Sequence, residues 1–344
     1  MRTLGKILAG ICAALFVVTG VISLLLFNVE RKAFSAATYK QAFERQALYE
    51  RMPTVLAGAL TSSVAENPNA APYLKVITQA DWERIIASLL PPEELKALTN
   101  AVLDSTFDYL NGKSDSISIS LLPLKNRFSG PAGMEAIKKI LSTQPDCTAE
   151  QLLQMGLGFL TGEEIVLCNP PAKMLDLALP MLESQLQAVT AGFPDEVILV
   201  DATQNNTPND LRGTLGRVRT IMKFSPLIPL LFLIGLTIFA VRRLVGWLRW
   251  WGIPFLVTGG TGALIALIGS PVLSLLIQRT IQNQRLDSLP PVLLTTAQEA
   301  VGEVARQILR PVIIEGVILT ALGMGMLILA FFLSKREKVG TPAK

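Results

Sequence analysis

Long apolar runs alternate with polar segments along this chain, and four of the runs are long enough to cross a bilayer. They cover residues 7–27, 224–241, 252–277 and 312–333. Each run is close to the ~20 residues that span the hydrocarbon core as an α-helix. The pattern therefore predicts a mainly α-helical integral membrane protein with four transmembrane helices, whose two termini lie on the same side of the membrane.

The first run, residues 7–27, has two interpretations: a cleaved signal peptide or an uncleaved anchor. A signal peptide usually has an apolar region of only ~7–15 residues. In addition, no small-x-small cleavage site directly follows Phe27. We therefore predict a signal anchor, preceded by a short cytoplasmic N-terminus at residues 1–6.

A short turn rich in arginine and tryptophan, residues 242–251, separates the second and third runs. Its basic and aromatic side chains are Arg242, Arg243, Trp247, Arg249, Trp250 and Trp251. Arginine is unfavourable in hydrocarbon, and tryptophan favours the headgroup level. The turn is thus predicted to anchor the topology at a membrane surface, with binding of anionic lipid as the alternative interpretation.

The distribution of lysine and arginine predicts the orientation. The N-terminus, the turn and the tail at residues 334–344 are short, densely basic and poor in acids. The longer segments 28–222 and 278–310 hold nearly as many basic residues close to the spans. Long segments cross the membrane largely regardless of charge, so the short segments decide. We predict a multi-pass plasma-membrane protein with cytoplasmic termini and turn, and with both longer segments extracytoplasmic.

The larger extracytoplasmic segment is predicted to fold as a mainly helical domain with a minor β component, inserted between spans 1 and 2. Serine and isoleucine alternate over residues 116–121, which is the period of a half-buried strand. Residues 196–200 form the other β-rich run of this segment. We therefore predict that these two runs pair and join distant parts of the segment.

Local signals predict several helix boundaries in the same segment. Capping boxes mark helix starts at Thr78 and Thr148, and Asn169 followed by proline marks a third. A break is expected at Pro53, because the residue before a proline resists the α conformation.

The smaller segment is predicted to contain an amphipathic helix that packs against the large domain. Its apolar residues follow heptad spacing: Leu294, Ala297, Val301, Val304 and Ile308. Pro311 is expected to mark the junction of this helix with the fourth span.

Composition restricts the chemistry of the chain. It contains no histidine, which excludes Ser-His-Asp and Cys-His catalysis, HExxH metalloprotease sites and imidazole-bound zinc. The net charge of +4 comes from the short cytoplasmic segments, which leaves the outer segments mildly acidic. Because phosphate binding needs a basic face, nucleic acid is not predicted as a partner. No cofactor or metal site is predicted either.

The two cysteines of the large segment, Cys147 and Cys168, are predicted to form a disulfide, because extracytoplasmic cysteines of one domain tend to pair. A redox role is the alternative, but no CxxC spacing is present. Cys12 lies in the first span and is predicted to be a small packing residue.

Glu315 is the only ionisable residue within an apolar run and is therefore a candidate intramembrane site for a proton or cation. The alternative places its carboxylate at the headgroup level near Arg310, since Pro311 is only about one turn away. Small residues of spans 3 and 4 also have two interpretations, helix packing or the lining of a pore. They include Gly259, Gly316, Gly323 and Gly325.

These observations predict a non-enzymatic integral membrane protein. Its outer domain is expected to bind a protein or envelope partner or a small ligand, or to have a structural role. The alternative is a transporter or channel component that uses the four-helix bundle. The lipid bilayer is the one partner that the sequence indicates directly.

Overall fold

The structure is a computed structural model that describes residues 2–70, 72–154, 168–201, 211–241, 243–283 and 290–339. It is 83% helical, which agrees with the predicted class. The helices are α1 Arg2–Ala33, α2 Ala36–Arg45, α3 Leu48–Glu66, α4 Pro72–Lys75, α5 Gln79–Leu89, α6 Pro92–Leu110, α7 Leu122–Ser129, α8 Pro131–Ser142, α9 Ala172–Ala191, α10 Leu211–Phe224, α11 Leu227–Ala240, α12 Leu244–Asn283 and α13 Pro291–Val339. The strands are β1 Ser116–Ser120 and β2 Glu196–Asp201.

The chain divides into two compact units of opposite charge. The apolar unit comprises Met1–Ala42, Thr207–Thr280 and Val301–Lys344, and the acidic unit comprises Phe43–Asn206 and Ile281–Ala300. By sequence, the acidic unit has 12 Lys and Arg against 22 Asp and Glu, a net charge of −10. The apolar unit has 19 against 5, a net charge of +14. The two values add to the +4 of the whole chain.

Four helices are long and apolar enough to cross a membrane, which agrees with the prediction of a multi-pass protein. The candidate spans are Gly5–Ala33, Gly213–Ala240, Leu244–Gly269 and Val292–Lys335. Many of their large apolar side chains are exposed, among them Leu231 and Ile238. A surface of this kind suits lipid rather than water.

Glycines bring α12 and α13 into close antiparallel contact. A methyl group on Gly316 would lie 2.7 Å from the carbonyl oxygen of Gly259, and one on Gly323 would lie 2.7 Å from that of Gly252. The two glycines of each helix are seven residues apart, about two turns, so they lie on one face of that helix. This geometry favours the packing interpretation for Gly259, Gly316 and Gly323. Gly325 faces open space.

The tryptophans of the Arg-Trp segment are helical, because α12 begins at Leu244 and not after residue 251. Trp250 and Trp251 pack against the core that α1 and α11 share. The indole Nε1 of Trp251 donates a hydrogen bond to Thr237 Oγ1 at 3.1 Å. Cys12 packs against the same core, as predicted. The buried residues of this core are Ala9, Phe16, Leu233 and Leu236.

The acidic unit contains the predicted sheet. β1 and β2 pair antiparallel, from Ser116 with Asp201 to Ser120 with Glu196, with an irregularity after Ile117. Helices α3, α5, α6, α7, α8 and α9 surround the sheet or pack on one another. A small core of Ile77, Ile85 and Ala136 joins the start of α5 to α8. The pairing predicted from sequence is thus confirmed.

Two of the predicted helix starts are confirmed by their capping bonds. Thr78 Oγ1 accepts from the amide of Asp81 at 3.2 Å. Thr148 and Gln151 form the reciprocal box, with amide-to-side-chain distances of 2.9 and 3.3 Å. Asn169 is not a cap. Its side-chain Nδ2 donates to Asp146 Oδ1 at 3.0 Å, and α9 begins only at Ala172.

The predicted break at Pro53 is wrong, because α3 runs from Leu48 through Pro53 to Glu66. The chain turns earlier, at Ala47, where φ is 47°. A left-handed residue ends the preceding helix more sharply than a proline inside the next helix does.

The heptad stripe predicted for the second segment is displaced on the helix. Ala297 and Val301 are exposed, whereas Thr296, Ala300 and Val304 are buried. The buried face differs from the predicted one because it is formed partly by small and polar residues. Hydrophobic spacing does not detect such a face. Contact with the large domain is confirmed by Arg51, whose guanidinium lies 2.8 Å from the Glu299 carboxylate.

The predicted disulfide joins Cys147 and Cys168, whose Cα atoms are 5.0 Å apart. A parallel bridge between Asp146 and Asn169 continues beside it. The bond closes a loop across a sequence separation of 21 residues. In the chain-entropy model, a loop of this size stabilises the folded state by roughly 3 kcal/mol.

We expect Cys147→Ser and Cys168→Ser to lower the free energy of unfolding by a similar amount, about 2–5 kcal/mol. The double variant should be little worse than either single variant, because one bond is lost in all three. Cys12→Ser is the matched control and should change stability little. Chemical unfolding followed by circular dichroism measures this, and thiol counting on unreduced protein should give one free thiol per chain. Three free thiols would contradict the bond.

Candidate functional site

Polar side chains form a buried cluster near the C-terminal end of α1 in the apolar unit. Asn28 is only 1% exposed. Its Nδ2 donates to Glu315 Oε2 at 2.7 Å and to the carbonyl oxygen of Leu24 at 2.9 Å. The side chain therefore ties α1 to α13.

The partner of Glu315 differs from the expectation. Sequence spacing suggested Arg310, but Arg310 is exposed, and the carboxylate accepts from Asn28. Sequence reasoning treated residue 28 as the polar flank of the first span. The signal that was available is the side-chain amide of a residue directly after an apolar run. A polar group close to the hydrocarbon is costly unless it has a partner within the protein.

A second polar contact lies two residues further along α1. Glu30 Oε1 is 3.2 Å from the Arg219 guanidinium of α10, and the side chains are only 14% and 21% exposed. The same guanidinium lies 4.6 Å from the centre of the Phe34 ring. A partly buried cation thus has both a carboxylate and an aromatic face as partners.

Two further buried polar contacts complete the cluster. The hydroxyls of Ser23 and Ser225 lie 3.3 Å apart, and both residues are buried. With its amide oriented to match its neighbours, Gln307 donates to the carbonyl oxygen of Thr38 at 3.1 Å and accepts from the amide of Ala42 at 3.0 Å. We call the set Ser23, Asn28, Glu30, Arg219, Ser225, Gln307 and Glu315 the polar layer.

The Arg-Trp segment and the polar layer contact different parts of α1. Trp250 and Trp251 pack against the core that includes Phe16. Asn28 is twelve residues further along the same helix, which is about 18 Å at 1.5 Å per residue. Arg243 and Arg249 are exposed, and Arg242 lies outside the described residues. The structure therefore does not bring these predicted anchors together with Glu315.

The polar layer offers one hydrogen-bonded carboxylate and one ion pair. In the part of the chain that the structure describes, no group of three or more His, Cys, Asp or Glu side chains is placed to hold a metal ion. Apart from the bond from Asn28 to Leu24 within α1, these hydrogen bonds join separate segments of the apolar unit: α1 with α13, α1 with the turn at Ser225, and α13 with α2. The arrangement therefore suits helix association. Glu315, the carboxylate that is hydrogen-bonded and not ion-paired, also suits a proton-binding group.

The acidic unit holds a separate polar cluster around Lys96. Its ammonium lies 2.8 Å from Glu44, and this contact raises the pKa of Lys96 above its usual value. Burial raises the pKa of the Tyr49 phenol, and the charge of Glu44 raises it further. Both shifts of pKa lead away from neutrality.

The sequence matches no family model, and neither the search of the curated proteins nor that of the solved structures finds a similar chain. The functional argument therefore depends on the geometry of the two units alone.

A double-mutant cycle tests the coupling of Asn28 and Glu315. Asn28→Ala should lower the free energy of unfolding in detergent by about 1–3 kcal/mol, because it leaves the carboxylate without its donor. The cycle with Glu315→Ala should give a coupling energy of about 0.5–3 kcal/mol.

Arg249→Ala serves as the control for this cycle, because Arg249 is exposed and lies close to the Trp250 end of the bundle. Its effect should add to that of Asn28→Ala within about 0.5 kcal/mol. Additivity of Asn28→Ala with Glu315→Ala would contradict the coupling.

Proposed function

We propose that the chain is a non-enzymatic multi-pass protein of the plasma membrane, whose acidic unit lies on the extracytoplasmic side and binds a protein or envelope partner. The observation that carries this proposal is α9. Of its twenty residues only Thr190 is buried. A helix with large apolar residues and almost no burial is typical of a surface that takes a partner.

Helix α9 has two apolar stripes on opposite faces. Leu186 points to the protein, since a methyl group on Gly133 of α8 would lie 3.0 Å from its Cδ2. Met174, Leu177 and Met181 are exposed, and Leu177 is 83% exposed. At ~100° per residue, Leu177 lies about 180° from Leu186. Only one of the two stripes is therefore covered within the described part of the chain.

The disulfide and the charge pattern support the extracytoplasmic location of the acidic unit. Disulfides persist in oxidising compartments and are rare in the cytosol. The Cys147–Cys168 bond belongs to the acidic unit. The exposed Arg243 and Arg249 and the basic tail belong to the apolar unit, in short segments of the kind that stay in the cytoplasm.

The second candidate function is transport or conduction through the helix bundle, and the Asn28–Glu315 pair is the observation that favours it. Carboxylates within spans often belong to proton or ion pathways. The close glycine contacts of α12 and α13 favour a packed bundle instead. A further variant discriminates between the two functions: proteoliposome flux that Glu315→Gln abolishes, with the fold retained, would favour transport.

Cysteine labelling in intact cells tests the orientation. In a Cys12→Ser background, Lys113→Cys should react with an impermeant maleimide, because Lys113 is 70% exposed on the acidic unit. Lys335→Cys, near the end of α13, is the matched control and should react only after permeabilisation. The reverse pattern would contradict the proposed orientation.

Site-specific photo-crosslinking tests the binding role. A photoreactive residue in place of Leu177 should give a discrete adduct in native membranes, because that stripe is uncovered. The control is the same replacement at Glu183, which is exposed on α9 about 120° away around the helix. Equal adducts at both positions, or none at Leu177, would contradict a partner surface on this face.

A further inference from the structure

The two-stranded sheet of the acidic unit has one covered edge and one open edge. On β1, the amide of Ser118 points away from β2 and donates to Ser105 Oγ of α6 at 3.0 Å. Helix α6 also packs along β1. The outer edge of β1 is therefore occupied by the protein itself, and only β2 can offer a free edge.

The register identifies which backbone groups of β2 point outward. The amide of Leu121 donates to the carbonyl oxygen of Asp195 at 2.8 Å, so this pair is hydrogen-bonded. Antiparallel pairs alternate between bonded and non-bonded, which makes Ile119–Val197 the next bonded pair.

The intervening residues of β2, Glu196 and Ile198, are therefore in non-bonded pairs, and their N–H and C=O groups point away from β1. The outward amide of Ser118, the partner of Ile198, agrees with this assignment. No residue in the described ranges bonds to these outward groups.

Within the described part of the chain, this open edge lacks the lysine, the proline and the covering element that often protect a strand. Ile198 is 59% exposed and Leu199 is 56% exposed. Natural edge strands are commonly blunted by lysine, by proline or by a covering element. β2 has the sequence EVILVD, without lysine or proline. It does have an irregularity at Leu199, which confines the regular edge to residues 196–198.

The charges around the edge select its occupant. Asp195 and Glu196 lie at one end of β2, and Asp201 lies at the other. Asp195 already contacts Lys125 at 2.6 Å, whereas Glu196 is exposed. The acidic unit as a whole carries a net charge of −10. Opposite charge favours association, and like charge opposes it.

We propose that the outer edge of β2 binds an extended segment of a partner protein, with apolar residues flanked by lysine or arginine, by adding it to the sheet as a third strand. Backbone hydrogen bonds to Glu196 and Ile198 hold the segment, and alternate side chains contact Ile198 and Leu199. A second copy of this chain is disfavoured, because two acidic units would repel. This inference rests on the proposed binding role of the acidic unit.

The experiment uses the full chain in nanodiscs of zwitterionic lipid, which do not attract a basic peptide. The probe is a fluorescent peptide, Lys-Val-Lys-Val-Thr-Val-Lys, followed by anisotropy. A counterpart N-methylated at every peptide nitrogen has the same charge but lacks backbone donors, and a third has glutamate for lysine. We expect binding of the first peptide and at least about tenfold weaker binding of the other two, because the second loses backbone hydrogen bonds and the third is repelled by like charge.

Ile198→Pro is the matched variant of the protein. It removes an outward N–H and leaves the bonds to β1 intact, so the fold should be retained while peptide affinity falls about tenfold. Val197→Pro removes an inward N–H and should lower the thermal midpoint. Glu196→Lys should weaken binding without a change in the fold. If Ile198→Pro fails to fold, the N-methylated peptide still tests the edge on the unaltered protein.

Several outcomes would overturn the proposal. They are no binding of the basic peptide, equal binding of the N-methylated peptide, or unchanged affinity in a folded Ile198→Pro variant. A dimer in sedimentation that Ile198→Pro dissolves would assign the edge to a second copy instead. The labelling experiment tests a separate point. A reversed orientation together with intact peptide binding would contradict the proposed extracytoplasmic location but not the edge site.

Discussion

A polar group that enters hydrocarbon must find its partner within the chain, because no water is available there. The apolar unit meets this constraint with short contacts between helices. Asn28 uses its buried amide for both Leu24 and Glu315, and Arg219 is held between Glu30 and Phe34. These contacts have directions and lengths that apolar packing lacks. They therefore specify which helices associate, and at what height, whereas the apolar surface alone would allow many arrangements.

Close packing of helix backbones is a second kind of contact in the apolar unit, beside the polar contacts. Helices in lipid gain little free energy from the hydrophobic effect when they associate. They depend on close packing, which small residues at the contact permit. Gly252 and Gly259 oppose Gly323 and Gly316, and the fully buried Ala266 and Ala330 continue the seven-residue spacing. The polar layer and this glycine contact act in the same unit.

The sequence predicted those features that depend on local patterns. Four apolar runs, the β1–β2 pairing, two capping boxes and the disulfide all follow from spacing or residue type over short stretches. It did not predict the side-chain contacts between distant helices. Asn28 and Glu315 are 287 residues apart, and the buried face of the Pro291–Val339 helix is formed partly by threonine and alanine. Hydrophobic spacing cannot detect a buried face made of small or polar residues.

The acidic unit depends on different physics from the apolar unit. Its net charge of −10 opposes compaction, and a 20-residue helix gives it only one buried residue. The Cys147–Cys168 bond adds to the stability that the buried core supplies, because it limits the unfolded chain without adding buried surface. A domain stabilised in this way can leave one apolar stripe and one strand edge uncovered. The exposed apolar stripe of α9 and the open edge of β2 are therefore compatible with a folded unit.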